Sequence, residues 1–138
     1  MERKSVGIFI LNKKKEVLLQ LRDNKEGIDY PGYWGIIGGE INNGESDLDA
    51  IKREIKEEIN IIIQKIKFIS KLNIKRSNLT LKDTEISIFK GETDMPISEI
   101  IIKEGQKIKF FNLNEINNPK IISILKDYIL KNKKSIFD

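Results

Sequence analysis

The sequence contains no cysteine and no histidine. Without cysteine, a disulfide framework, a thiolate nucleophile and a cysteine-based zinc site are excluded. Without histidine, a Ser-His-Asp triad and imidazole metal ligands go as well. Long apolar runs are also missing. In the N-terminal stretch MERKSVGIFILNKKK the apolar part is far too short for a secretory signal or a membrane span. With the missing cysteine, this points to the cytoplasm. Acid–base chemistry is left to Asp, Glu, Lys or Tyr. Any metal site must be built from oxygen ligands, which favours Mg²⁺, Mn²⁺ or Ca²⁺.

What is present is the material of one domain: 138 residues, of which 39% are hydrophobic. Lys and Arg number 25 against 21 acids, a net charge of +4. A basic balance suits nucleic acid, an anionic membrane or a phosphorylated ligand. The abundance of Ile, Lys and Asn is what an AT-rich coding sequence produces, so each Lys is weaker evidence for anion binding than usual. The charges are also unevenly spread. Residues 40–60 hold seven acids and three bases, net −4, which leaves +8 on the rest of the chain. The sequence therefore describes an acidic patch on a basic body.

Residues 6–11 form an apolar, β-branched run, 12–15 a polar turn and 17–21 a second short strand, so a hairpin is predicted. A polar loop over 23–32 leads through an extended piece, 33–37, into Gly38-Gly39. Residues 46–59 are the clearest helix. Ser46 is its cap, and Asp47 and Asp49 suit the positive end of its dipole. Leu48, Ile51, Ile55 and Ile59 fall within an arc of roughly 80° and are its expected buried stripe. Asn60 stands where a left-handed C-terminal cap is expected. Strands are predicted over 61–74, 80–90 and 107–113. A terminal helix is predicted over 119–132, with Pro119 in its first turn. Strands mixed with two helices, the first lying between strand pairs, indicate an α/β or α+β sandwich.

The chemistry concentrates in GGEINNGESDLDAIKREIKEEINI, residues 38–61. Glu54, Glu57 and Glu58 share one helical face within roughly 100°, directly beside the apolar stripe. Three carboxylates crowded at a buried edge repel one another, and a divalent cation would remove that cost. Arg53 stands four residues before Glu57 and can hold a carboxylate in place. Acidic helix faces are usually only solvated surface, and it is the flanking pattern that separates this one from the rest.

That pattern resembles the Nudix box, GX5EX7REUXEEXGU with U aliphatic. Gly39, Glu45, Arg53, Glu54, Ile55, Glu57, Glu58 and Ile61 match it. Asn60 stands at the second box Gly, and Ile37 occupies the place where a Pro is common before the Gly pair. The box spans 39–61 of a single domain covering 1–138. The resemblance implies an α/β fold, a three-layer α/β/α sandwich with a mixed central sheet. It implies Mg²⁺- or Mn²⁺-assisted hydrolysis of a nucleoside diphosphate linked to a further group. By the same resemblance Glu54, Glu57 and Glu58 are metal-binding carboxylates, with Glu54 and Glu57 also catalytic, and the Gly38 carbonyl is a further candidate ligand. Glu45 and Arg53 form a structural ion pair.

The segment Glu104-Gly-Gln before a late strand resembles MutT-type members and makes Glu104 the candidate general base, with Glu85 a weaker competitor. Arg22 is a candidate phosphate contact. Trp34 and Tyr33 are candidates for stacking on a base. Asn117 and Asn118 are candidates for reading a purine edge. The leading expectation is a MutT-type (d)NTP pyrophosphohydrolase giving a nucleoside monophosphate and pyrophosphate. The alternatives are hydrolysis of ADP-ribose or another diphosphate conjugate, removal of pyrophosphate from an RNA 5′ end, and a nucleotide-binding module without catalysis. The intact glutamates argue against the last. No membrane partner is expected, nor any nucleic acid beyond an RNA 5′ end, and the chain would be a monomer or a homodimer.

Overall fold

The computed structural model describes residues 3–75 and 83–138. Its first strand, β1 (Arg3–Leu11), is buried continuously over residues 5–11. A strand buried without alternation must be covered on both faces. Val6, Ile8 and Ile10 point to one face, where they pack with Ile37, Ile51 and Ile55. Phe9 and Leu11 point to the other and pack with Trp34, Phe111, Tyr128 and Ile129. Helix α1 (Asp47–Glu58) covers the first face, while α2 (Ser123–Lys131) and α3 (Lys133–Phe137) cover the second. The result is the expected α/β/α sandwich.

The sheet has seven strands in the order β3-β2-β1-β6-β5, with β4 also on β1 and β7 also on β2. These are β2 (Val17–Leu21), β3 (Trp34–Gly35), β4 (Ile37–Glu40), β5 (Gln64–Ile74), β6 (Thr84–Glu92) and β7 (Lys107–Phe111). Among the described strands only β1 and β6 run parallel, so the sheet is mixed. The predicted hairpin is present, with Leu11 opposite Val17. At its other end β1 pairs with β4 instead, from Ser5↔Glu40 to Ile8↔Ile37. On that side of β1, β2 and β4 therefore diverge, and the site lies in the cleft between them.

Several expectations change. Leu48 is 42% exposed, and Ala50 takes its place in the stripe with Ile51, Ile55 and Ile59. Asn60 does not adopt a left-handed cap; the chain leaves α1 extended, with Ile59 at φ −156°. The reason is a pairing that no helix signal encodes. Ile59 bridges Ile102, and Asn60 exchanges backbone and side-chain hydrogen bonds with Ile101. The terminal helix begins at Ser123, so Pro119 lies ahead of it. Residues 120–122 are held against Trp34, whose N–H donates to Lys120 O and whose carbonyl accepts from Ile122 N. β5 starts at Gln64, not at 61. Of the strand predicted over 80–90, residues 80–82 lie outside the described residues, and 84–90 belong to β6.

Candidate active site

Ser46 caps α1 by accepting from Asp49 N at 3.1 Å, which fixes where the helix starts and so which face each glutamate takes. Glu54 and Glu58, one turn apart, fall on the buried face at 9% and 7% exposure. They lie against the Gly38-Gly39 wall of β4. Glu58 Oε2 accepts from Gly38 N at 3.2 Å. A Cβ on Gly39 would stand 2.5 Å from the Glu54 carboxyl, and one on Gly38 would stand 2.0 Å from Val6 O. The glycine pair is thus required by close approach, not by turn geometry.

Arg53 organises the acids around it. Its Nε and Nη2 reach the two Glu45 oxygens at 2.8 and 3.0 Å, a bidentate pair. Nη2 also donates to Glu40 O at 2.9 Å, and Nη1 to Glu54 at 2.9 Å and Glu57 at 3.2 Å. Arg53, then the Asn42 N–H, hold the Glu45 carboxyl below its ordinary range, and the carboxylates raise the guanidinium in turn. Glu45 and Arg53 thus form a bidentate ion pair. Glu57 is the outlier of the glutamate trio: its side chain is 58% exposed and turned to Arg53.

Glu104 arrives from the opposite side of the cleft. Lys103 N donates to Glu58 O at 2.7 Å, the Gln20 amide donates to Glu104 O at 2.7 Å, and Gln106 N donates to Leu21 O at 2.8 Å. Its carboxyl reaches that of Glu58. Burial first, then the charges of Glu54 and Glu104, push the Glu58 carboxyl up to about 8. Burial also raises Glu54, against the opposing pull of Arg53.

These acids open onto a cavity of about 540 Å³, lined by Gly38, Gly39, Glu54, Glu58 and Glu104, by Arg3, Arg22, Asp29 and Tyr30, and by Ile36, Ile86, Ile122 and Leu125. Arg22 is on the cavity wall, with its Nε donating to Asp29 O at 2.8 Å. Other expected contacts are absent from it. Trp34 is 8% exposed and packed edge-to-face on Phe111, a core residue with no free face for a base. Asn117 closes a 3₁₀ turn (Leu113–Asn117), and its carbonyl accepts from Lys126. Asn118 caps toward Lys120 N, Tyr33 lies under Lys120, and Glu85 pairs with Lys71. Sequence reasoning missed Arg3, Asp29, Tyr30 and Gln20. Tyr30 carried no usable signal, because its left-handed backbone (φ 51°) is visible only in the fold.

The donor set is all oxygen and includes a carboxylate whose burial is uncompensated by any cation, which fits a hard divalent ion. Among the described residues no three acids yet stand at metal-ligand geometry, with Glu57 held aside by Arg53. The family model for the NUDIX domain matches residues 1–132. The chain belongs to the Nudix family. Nudix hydrolases act on phosphoanhydride bonds of nucleotide substrates and generally use a divalent metal. An uncharacterised Nudix hydrolase of Listeria monocytogenes is 30% identical over 134 residues, 83% of this chain and 77% of its own. An RNA pyrophosphohydrolase of Ruthia magnifica is 39% identical over 69 residues, half of this chain and 35% of its own. The crystal structure of a MutT protein from Methanosarcina mazei superposes with a TM-score of 0.81 at 22% identity, covering 97% of this chain and 94% of that one. Among the described residues no helix of this Nudix domain is long and apolar enough to cross a membrane.

Proposed function

We propose that this Nudix hydrolase is a Mg²⁺-dependent MutT-type pyrophosphohydrolase that converts a nucleoside triphosphate to the monophosphate and pyrophosphate. The observation that carries the reading is the convergence of Glu54, Glu58 and Glu104 on the Gly38-Gly39 wall of a cavity that also holds Arg22. Glu54, Glu57 and Glu58 would hold the metal. The Gly38 carbonyl is a further candidate ligand, beside the N–H that donates to Glu58. When bound, the cation neutralises the pyrophosphate and acidifies a water.

Glu104 accepts the proton of the attacking water at its carboxylate. Glu54 suits that task less, because Arg53 already occupies one of its oxygens. Arg22 orients the phosphate chain from the cavity wall. The apolar wall of Ile36, Ile122 and Leu125 excludes water around the rest of the substrate.

A second reading, removal of pyrophosphate from an RNA 5′ end, is supported by the +8 charge outside residues 40–60. The Ruthia magnifica relative points the same way. The experiment is product analysis with Mg²⁺ on ordinary and oxidised nucleoside triphosphates, ADP-ribose, dinucleotide polyphosphates and triphosphorylated RNA. The expected result is monophosphate and pyrophosphate from the triphosphates. Cleavage confined to RNA or ADP-ribose overturns the MutT-type reading. Glu57→Gln is expected to lower turnover at least about a hundredfold without unfolding the chain. Wild-type turnover in that variant refutes Glu57 as a ligand.

A further inference from the structure

We infer that Gln20 is a positioning residue for this reaction: it fixes the turn that delivers Glu104 to the metal-binding glutamates. The inference rests on the role given to Glu104 above. Gln20 sits on β2, is 6% exposed, and directs its amide nitrogen to Glu104 O at 2.7 Å. A polar side chain buried in a strand costs stability unless its bond is made. This bond is made to the backbone of the candidate base itself.

The turn is built around that bond. Gly105 has φ 83°, a backbone that L side chains rarely adopt, and a Cβ there would stand 2.8 Å from Gln20 Nε2. Two more bonds come from the same strand end, from Gln106 N to Leu21 O at 2.8 Å and from Gln106 Nε2 to Arg22 O at 2.9 Å. On the other flank Lys103 N donates to Glu58 O at 2.7 Å. Residues 103–106 are thus clamped between β2 and the end of α1, and Gln20 is the side chain that holds the Glu104 backbone. Loss of that grip leaves the carboxylate present but loosely aimed, which lowers turnover more than binding.

Gln20→Met keeps the length and volume of the side chain but cannot donate. In the metal-free protein the Gln106 amide is expected to exchange about tenfold faster in that variant, as the local clamp opens. With Mg²⁺ and a nucleoside triphosphate, kcat is expected to fall about tenfold with KM within about twofold, the scale of one buried hydrogen bond. In a Glu104→Gln background the same substitution is expected to cost less than about twofold, because there is no base left to misplace. Gly105→Ala disturbs the same contact from the turn, without altering β2, and is expected to show the same dependence on Glu104. Full turnover in both Gln20→Met and Gly105→Ala, or losses that multiply unchanged with Glu104→Gln, overturn the inference while the role of Glu104 stands. Wild-type turnover in Glu104→Gln itself overturns that role, and the positioning claim with it.

Discussion

Glu58 sits in a place that resists its ionisation, and replacing it with Gln should make the metal-free protein more stable. The carboxyl is 7% exposed, faces Glu54 and Glu104, and titrates near 8 against 4.5 when exposed. Below about pH 4.5 Glu58 is protonated in both the folded and unfolded chains and costs nothing. Between about 4.5 and 8 the unfolded chain ionises while the folded one keeps its proton, so stability falls as pH rises and levels off above about 8. At pH 7 the difference is on the order of 3 kcal/mol, from about 1.4 kcal/mol for each pH step above 4.5. Glu58→Gln never ionises. Its amide oxygen can keep the bond from Gly38 N–H, and its nitrogen can give Glu104 the hydrogen that protonated Glu58 gives.

The assay is urea denaturation with a chelator across that pH range. The two proteins should be equally stable near pH 4.5, with the variant gaining about 3 kcal/mol by pH 7, or roughly 10 °C in Tm. Added Mg²⁺ should then stabilise the wild type increasingly as pH rises and the variant little, since a ligand stabilises only the state that binds it. The variant should also be nearly inactive. Parallel pH profiles, or a variant less stable than wild type at pH 8, would refute the claim that this site stores an unneutralised charge.

Three further outcomes are expected. Arg53→Lys loses the two-pronged hold on Glu45 and the bonds to Glu40 O and Glu54, and turnover should drop by roughly 10- to 100-fold, as for other groups that orient metal ligands; a drop under twofold would contradict the orienting role. Asn60→Gly restores the box residue yet should lower stability by about 1 kcal/mol in urea denaturation, because no left-handed backbone needs the Gly and the bond to Ile101 N is lost. Trp34→Leu should cost about 2 kcal/mol of stability while leaving KM for the nucleotide within about twofold, since the ring packs on Phe111 and is not part of the wall of the acidic cavity; a large rise in KM would return Trp34 to the substrate.

The parts of this protein that were legible in the sequence are those encoded by local periodicity. The cap at Ser46 and the spacing of Glu54 and Glu58 follow from helix geometry, whereas the ion pair of Glu45 with Arg53 was legible only through the resemblance to the Nudix box. The parts that were not legible depend on distant chain segments meeting. Asn60 is a reasonable left-handed cap until Ile101 and Ile102 come to lie beside it. Pro119 is a reasonable helix start until residues 120–122 bond to Trp34. Trp34 looked available because an aromatic ring in a loop-flanking strand shows nothing in sequence of the Phe111 ring that covers it. Gln20 gave no signal for the same reason: its partner is 84 residues away.

The acids of the box are also not equivalent, and Arg53 sorts them. Glu45 is held by two short bonds at 15% exposure, so it is part of the scaffold. Glu54 shares one Arg53 nitrogen at 2.9 Å while remaining buried at the glycine wall, so it is held in place but keeps an oxygen free for another ligand. Glu57 shares that same nitrogen at 3.2 Å from solvent, and an exposed ion pair of that kind contributes little. Glu57 can therefore leave Arg53 at small cost once a cation offers a stronger partner beside Glu58. Burying Glu58 without a countercharge and leaving Glu57 loosely held belong to one design. On the metal-binding role proposed above, the first disfavours ionised Glu58 without a cation, and the second leaves Glu57 free to turn toward one.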